Sequence, residues 1–312
     1  MSNYIVKRLL ALIPILIFTS FVVSGLVRLT PGDPALIMVG GRRTTPAILD
    51  AIRQQYGLDK DPLSQYVLWV GKAVRGDLGQ SFRLKQDVTG LITARLPVTL
   101  KLIIFSVTLS VLLALPLGVL AAVYKNTWVD YVSSFIALVG LSSPVYFSGI
   151  VSILVFGYWL GWFPALGAGK GFWDQLYHLV LPSSVLALNM MALTSRMTRS
   201  SMLDVLGTDY ITVARAKGLA YPRVVLHHAL RNALIPVVTV AALQLGFLFA
   251  GTVLVEFTFG LGGLGSLITD AIQNRDYPVV QGTTLFLVTV FVLLNLSTDL
   301  LYAVIDPRIR YQ

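Results

Sequence analysis

The chain has 312 residues, 55% of them apolar and only 12% charged, with a formal net charge of +9 and a mean hydropathy of +0.76. That balance excludes an ordinary soluble domain, in which about a quarter of the residues are charged. No cysteine is present, which excludes disulfides, thiolate nucleophiles and Cys-ligated metals, and the three histidines (His178, His227, His228) are too few for a dedicated metal cage.

Crossing a hydrocarbon core of about 30 Å takes about 20 helical residues. Six apolar runs meet that need: Leu9–Val27, Leu102–Tyr124, Tyr131–Gly161, Gln175–Ser195, Asn232–Val255 and Val279–Thr298. None contains Asp, Glu, Lys or Arg. The expected fold is an all-α membrane protein with six transmembrane helices. The first run follows Lys7 and Arg8, as a signal peptide would. It is longer than a signal core and ends in Ser24-Gly25-Leu26-Val27-Arg28 without a small-residue cleavage site, so it reads as an uncleaved span.

A sizeable insertion, Arg28 to Arg95, separates the first two spans. Thr30-Pro31-Gly32-Asp33-Pro34 is a rigid turn. Pro46 introduces a helix over Ala47–Tyr56, with Gly57 as its cap, and Pro62 opens another over Pro62–Val74 that stops near Gly76-Asp77-Leu78-Gly79. Apolar residues there are too few for a separate core, so the insertion is a small external helical elaboration. The domain reading is therefore 1–94 for the first helix plus insertion, 95–304 for a five-helix transmembrane domain, and 305–312 for a C-terminal tail.

Small residues recur four apart in the second span (Ala114, Gly118, Ala122) and the fifth (Ala242, Gly246, Ala250). Such ridges serve close helix packing more often than a substrate path. Pro116, Pro144 and Pro182 lie within spans, where each frees a backbone carbonyl and is a candidate kink. Gly167-Ala168-Gly169-Lys170-Gly171 invites a phosphate-loop reading. However, Pro164 stands where the first Gly is needed and Gly171 where Ser or Thr is needed, so a turn fits better. No G-x-S-x-G elbow supports a catalytic serine. Glu256 and Asp299 fall at span ends, where water or a helix terminus can serve them, and structural roles fit them best.

Orientation follows from Lys and Arg placement. Lys7, Arg8, Lys125, the six bases between Arg196 and Leu234, Arg308 and Arg310 all fall on one side of a six-span chain. Both termini are therefore expected in the cytoplasm, and the positive charge is a topology signal that needs no nucleic-acid partner.

The long basic loop at 196–234 is the most informative segment. Thr208 or Asp209 can cap a short helix over Tyr210–Lys217 that Gly218 stops, and Tyr221-Pro222-Arg223 starts a second helix to Ala233. A helix–Gly–helix elbow with small Ala214 and Ala216 near its tip suits insertion into a groove of another protein. A basic face lying on anionic lipid is the physical alternative.

The elbow resembles the cytoplasmic coupling loop of type I ABC importer permeases, with signature EAA, three residues, Gly, nine residues, then I-x-L-P. Gly218 and Ala214 match it, Thr212 and Val213 depart from it, and His228-Ala229-Leu230-Arg231 keeps only the Leu. The match is closer to the binding-protein-dependent peptide and nickel branch, whose form is DYxxxARAKG…ALRNAxxPVV. Pro31-Gly32-Asp33-Pro34, Gly76-Asp77-Leu78-Gly79, Met197-Thr198-Arg199-Ser200-Ser201-Met202, Arg275-Asp276-Tyr277-Pro278-Val279 and Asp306-Pro307-Arg308-Ile309-Arg310 extend the resemblance along the whole chain.

The resemblance implies a permease subunit in a bacterial inner membrane, moving short peptides, with glutathione or nickel chelates as alternatives within the same architecture. Implied partners are a second homologous permease, two cytoplasmic ATPases that bind the ATP and Mg, and an extracytoplasmic solute-binding protein, all around a chain embedded in lipid. The chain itself would be no enzyme and hold no cofactor. Asp209, Tyr210, Ala214, Arg215, Ala216, Lys217, Gly218 and Leu219 are the implied ATPase-coupling residues. A stand-alone secondary transporter or channel would instead show intramembrane charges for ion coupling or a pore ring, and these spans carry none.

Overall fold

The computed structural model describes residues 2–29, 35–36, 45–56 and 59–305. The expected turn at 30–34, the Gly57 cap and the tail from Asp306 lie outside the described residues. The helices are α1 (Ser2–Leu29), α2 (Pro46–Tyr56), α3 (Pro62–Ala73), α4 (Val88–Val123), α5 (Trp128–Ser142), α6 (Val145–Trp159), α7 (Phe172–Leu206), α8 (Asp209–Ala216), α9 (Tyr221–Phe259), α10 (Leu264–Gln273) and α11 (Tyr277–Ile305). Among the described residues the only β-type pairing is an isolated bridge between Gln80 and Asp87.

By length and composition α4, α7, α9 and the described part of α11 can each cross a membrane, and α5 with α6 forms a further span bent by 109°. The apolar stretch of α1 runs over Leu10–Gly25. All six apolar runs thus fall on helices, and the third is broken at Pro144, one of the three candidate kinks. The cause is local. Pro144 has no N–H for the Gly140 carbonyl, and Ser143 before it is extended (φ −86°, ψ 121°). Pro116 and Pro182 sit inside unbroken helices.

The chain divides into two compact units, residues 1–97 with 262–293 and residues 98–261 with 294–312. In the first, Val88 and Ile92 of α4 pack with Leu264 and Leu267 of α10 and Val279 of α11. The segment before α4 is fastened by Asp276. Its buried carboxylate accepts from the Ser81 hydroxyl at 2.5 Å and from the Phe82 and Arg83 amides at 3.0 and 3.3 Å. In the insertion, Asp61 caps α3 by accepting from the Ser64 amide at 3.0 Å. The Tyr66 hydroxyl lies 2.8 Å from Ser20 Oγ of α1, and its ring meets Phe21 edge-on at 5.5 Å. The insertion is therefore braced on the first apolar run.

In the second unit α7 is the central post. It approaches α4 so closely at Gly118 that a Cβ there would stand 2.5 Å from Thr198 Cβ and 2.6 Å from the Ser195 carbonyl. At Gly140 of α5 a Cβ would stand 2.8 Å from the Leu188 carbonyl. The ridge in the second span therefore serves packing: Ala114 and Ala122 are buried beside that crossing. Toward one end of the unit, Leu102, Leu181, Leu186, Val255 and Phe259 make an apolar core. Trp128 and Tyr131 at the start of α5, and Tyr158, Trp159, Trp162 and Trp173 around the loop after α6, are exposed amphipathic rings at span ends, the residue types that membrane interfaces favour.

Candidate functional site: the 208–233 elbow

The basic loop folds into an elbow at the end of α7 distal to that core. Thr208 takes the extended N-cap conformation (φ −84°, ψ 153°), but its hydroxyl donates to the Val205 carbonyl at 2.6 Å rather than capping α8. Asp209 occupies the first turn of α8, where its charge meets the positive end of the helix dipole. Two turns later the helix stops. Gly218 takes φ +79°, and the Gly218 amide donates to the Arg215 carbonyl at 2.9 Å. A left-handed residue is what a stop of this kind requires, and glycine carries no steric penalty there.

The elbow rests in an apolar socket. Ile211 is 1% exposed and packs with Met202 of α7, Ala122 of α4, and Val224, Ala229 and Ala233 of α9. Burying that one side chain stabilises the seat by about 1.5–3 kcal/mol. Ala214 and Leu219 are half-buried against the same socket, whereas Asp209, Tyr210, Arg215, Ala216, Lys217 and Gly218 are exposed. The implied coupling set thus splits by face, with two members serving the elbow's own seat and six facing outward. Thr212 and Val213 are exposed beside Ala216, so the outer face mixes small and apolar groups with its bases.

Two polar braces fix the arms. Asn232 Nδ2 donates to the Tyr210 hydroxyl at 2.7 Å, and the Arg215 guanidinium lies 4.8 Å from the centre of the Tyr221 ring, a cation–π distance. The expected second helix ending at Ala233 is instead continuous with the fifth span. α9 runs unbroken from Tyr221 to Phe259, with a π-helical stretch over Val224–Ala229. The wider turn lets Val224, Val225 and Ala229 all face the socket. Sequence reasoning placed Tyr221 at a helix start and Asn232 at a span start but gave neither a bracing role; a polar residue at a span's first turn was the available signal.

Beneath the elbow lies an ion pair that sequence reasoning also missed. Arg199 of α7 grips Asp130 of α5 bidentately, Nε to Oδ1 at 2.6 Å and Nη2 to Oδ2 at 2.7 Å. The Asn126 amide adds a third hydrogen bond to Oδ2 at 3.0 Å. Asp130 is buried. An acid just before one apolar run and a base just after another, on the same expected side, was a legible hint; only the fold pairs them.

The remaining candidates fall elsewhere. Gly167, Gly169 and Gly171 all have positive φ, and the Lys170 amide donates to Asp174 at 2.6 Å, so this segment is a glycine turn capping α7 rather than a phosphate cradle. Glu256, expected at a watered span end, is fully buried and accepts from the Thr99 hydroxyl at 2.6 Å. Its neighbours Val255, Phe259 and Leu261 belong to the buried apolar core, so this end of α9 lies inside the protein rather than in water. The side chain of Asp299 lies outside the described residues.

The chain matches two family descriptions. One is "Binding-protein-dependent transport system inner membrane component", over residues 114–311; the other is the N-terminal part of such membrane components, over residues 1–103. It is 43% identical over all 312 residues, and over the full length of the relative, to the glutathione transport system permease protein GsiC of Escherichia coli (strain K12). The GsiC protein of Shigella boydii serotype 4 (strain Sb227) is 42% identical with the same coverage. Among solved structures, an inward-facing form of the MetNI methionine ABC transporter matches 69% of this chain and 96% of that one, at a TM-score of 0.58 and 20% identity. The chain belongs to the binding-protein-dependent transport permeases. It is a permease subunit of an ABC importer, an inner-membrane multi-pass component that carries solute and is not an enzyme.

Proposed function

We propose that this permease subunit imports short peptides, glutathione among them, and that the 208–219 elbow couples it to cytoplasmic ATPases. The observation that carries the coupling role is the elbow itself. A helix stopped by left-handed Gly218, seated through Ile211 and presenting Ala216 and Lys217 outward, is a rigid handle. The cargo reading rests on the full-length similarity to glutathione permeases. Dipeptides and oligopeptides share the chemistry of that cargo.

In this reading the transporter contains a second homologous permease, two ATPases and an extracytoplasmic solute-binding protein. ATP binding closes the ATPases and draws the elbow with them. Because Ile211 joins α8 to α4, α7 and α9, the pull reaches three spans at once and biases an inward-open against an outward-open arrangement. Gly218 sets the turn. Asp209, Tyr210, Arg215, Ala216 and Lys217 form the docking face, and Ala214 and Leu219 hold the seat.

Two measurements test this reading. If the termini and the elbow are cytoplasmic, a cysteine replacing Lys217 resists a membrane-impermeant thiol reagent in intact cells, while one replacing Lys85 reacts. The reverse pattern overturns the orientation and the coupling role with it. Arg215→Glu reverses a favourable field and removes the cation over Tyr221, so it lowers ATPase co-purification in a salt-dependent way. Unchanged recovery of ATPase at low salt would assign the basic face to lipid instead.

A further inference from the structure

The 109° break in the third span does more than bend a helix. At membrane depth every backbone polar group needs a partner, and non-helical backbone persists only where protein or an aqueous cavity serves it. Pro144 leaves the Gly140 carbonyl without its i+4 donor. Asn189 of α7 supplies the replacement, donating from Nδ2 at 3.3 Å. On the facing helix, Gln244 of α9 is 8% exposed, and its Nε2 donates to Thr194 Oγ1 at 3.1 Å and to the Met190 carbonyl at 3.4 Å. Both amide nitrogens are therefore committed, which fixes both side-chain planes. Among the described residues no protein donor reaches Asn189 Oδ1 or Gln244 Oε1.

These two side chains line one open cleft, beside Val145 just past the break and with Met190, Phe247 and Gly251. No charged residue lines it. Two fixed carbonyl oxygens among apolar walls accept hydrogen bonds and offer none. Left without donors in lipid they would be costly, as buried unmatched polar groups are. An N–H-bearing solute supplies what they lack.

We infer that the cleft between α7 and α9 at the broken span is a cargo-contact site, in which Asn189 and Gln244 accept hydrogen bonds from the amide N–H groups of a passing peptide. This rests on the peptide-import reading above, and it adds the residues that distinguish an amide from other solutes. Interhelical bonding alone would explain the committed nitrogens; it leaves both oxygens without a protein donor beside the cleft.

The chain's lack of cysteine permits a direct test. In the assembled transporter, Asn189→Cys and Gln244→Cys should react with a hydrophilic methanethiosulfonate, and trialanine delivered by the binding protein should slow the reaction. Ser110→Cys, isosteric at a fully buried position, should remain unmodified. Uptake supplies the second arm. Gln244→Met keeps the shape but removes both the acceptor and the Nε2 bonds to α7, a loss of helix fastening common to every cargo. The acceptor's own loss should raise KM for trialanine by a further factor of roughly fivefold to tenfold, the worth of one hydrogen bond. A backbone N-methylated trialanine should lack that further increase. The binding protein is common to both variants and cancels in that comparison. Cysteines at 189 and 244 that resist the reagent, or an equal loss for both peptides, would overturn the site and leave these residues as helix fasteners. Failure of the unaltered transporter to import trialanine or glutathione would overturn the cargo reading instead, while the reactivity of the two cysteines would still decide whether the cleft faces an aqueous path.

Discussion

Gly218→Val is expected to leave the chain inserted in the membrane, to weaken its hold on the ATPases and to abolish uptake. The reason is conformational. Gly218 has φ +79°, and nothing lies within 4 Å of where a Cβ would stand. Crowding therefore plays no part, and the whole cost falls on the backbone. A β-branched residue in the left-handed region is strained by about 1–3 kcal/mol. The chain relieves that strain by rotating out of the turn, and Lys217 and Ala216 then lose their register against a partner. Because Ile211 stays in its socket, the helices beneath should remain folded. Gly218→Asn, which tolerates the left-handed region, should keep most of the activity. Co-purification of the ATPases together with transport in proteoliposomes reads all of this. Full ATPase recovery with normal uptake in Gly218→Val would remove the coupling assignment.

Asp130→Ala is expected to produce the largest loss of stability. It leaves the Arg199 guanidinium facing a cavity with no counter-charge, and it removes three hydrogen bonds at once. Breaking a buried pair from one side costs about 3–5 kcal/mol. The low end applies, because the Arg199 side chain retains 31% of its exposure and can still reach water. The consequence is also positional, since Met202, which seats the elbow, lies one turn beyond Arg199 on α7. Paired replacement by apolar residues of similar volume, Asp130→Leu with Arg199→Met, should recover much of the loss, as no orphaned charge remains. Thermal unfolding in detergent measures both variants. A single mutant as stable as the parent would show that the pair contributes nothing, as many exposed pairs do.

Local features were legible without the fold because their causes lie within a few residues of chain. Apolar run length alone locates the helices that enter lipid. Gly218 reads as a helix stop because only a residue free of Cβ strain sits easily at positive φ, and the structure gives it φ +79°. Pro144 reads as a candidate kink because it removes one backbone donor; its neighbours Pro116 and Pro182 read identically and leave their helices unbroken. What differs is the company they keep. At Gly140, Asn189 of α7 serves the freed carbonyl.

The pairings that organise the molecule join residues far apart in the chain: Asp130 with Arg199, Thr99 with Glu256, Ser81 with Asp276. No local pattern encodes them, because each depends on how helices rotate and slide against one another, and that is settled by packing over many side chains. Glu256 illustrates the point. Its position in the chain placed it at a span end, and the helices around it took it out of water. The sequence by itself determined which segments cross the membrane and where the elbow bends, because hydropathy and backbone sterics act locally. Only the tertiary structure decided which polar groups meet, because in a low-dielectric interior each must find a partner wherever the packing of the helices has left one.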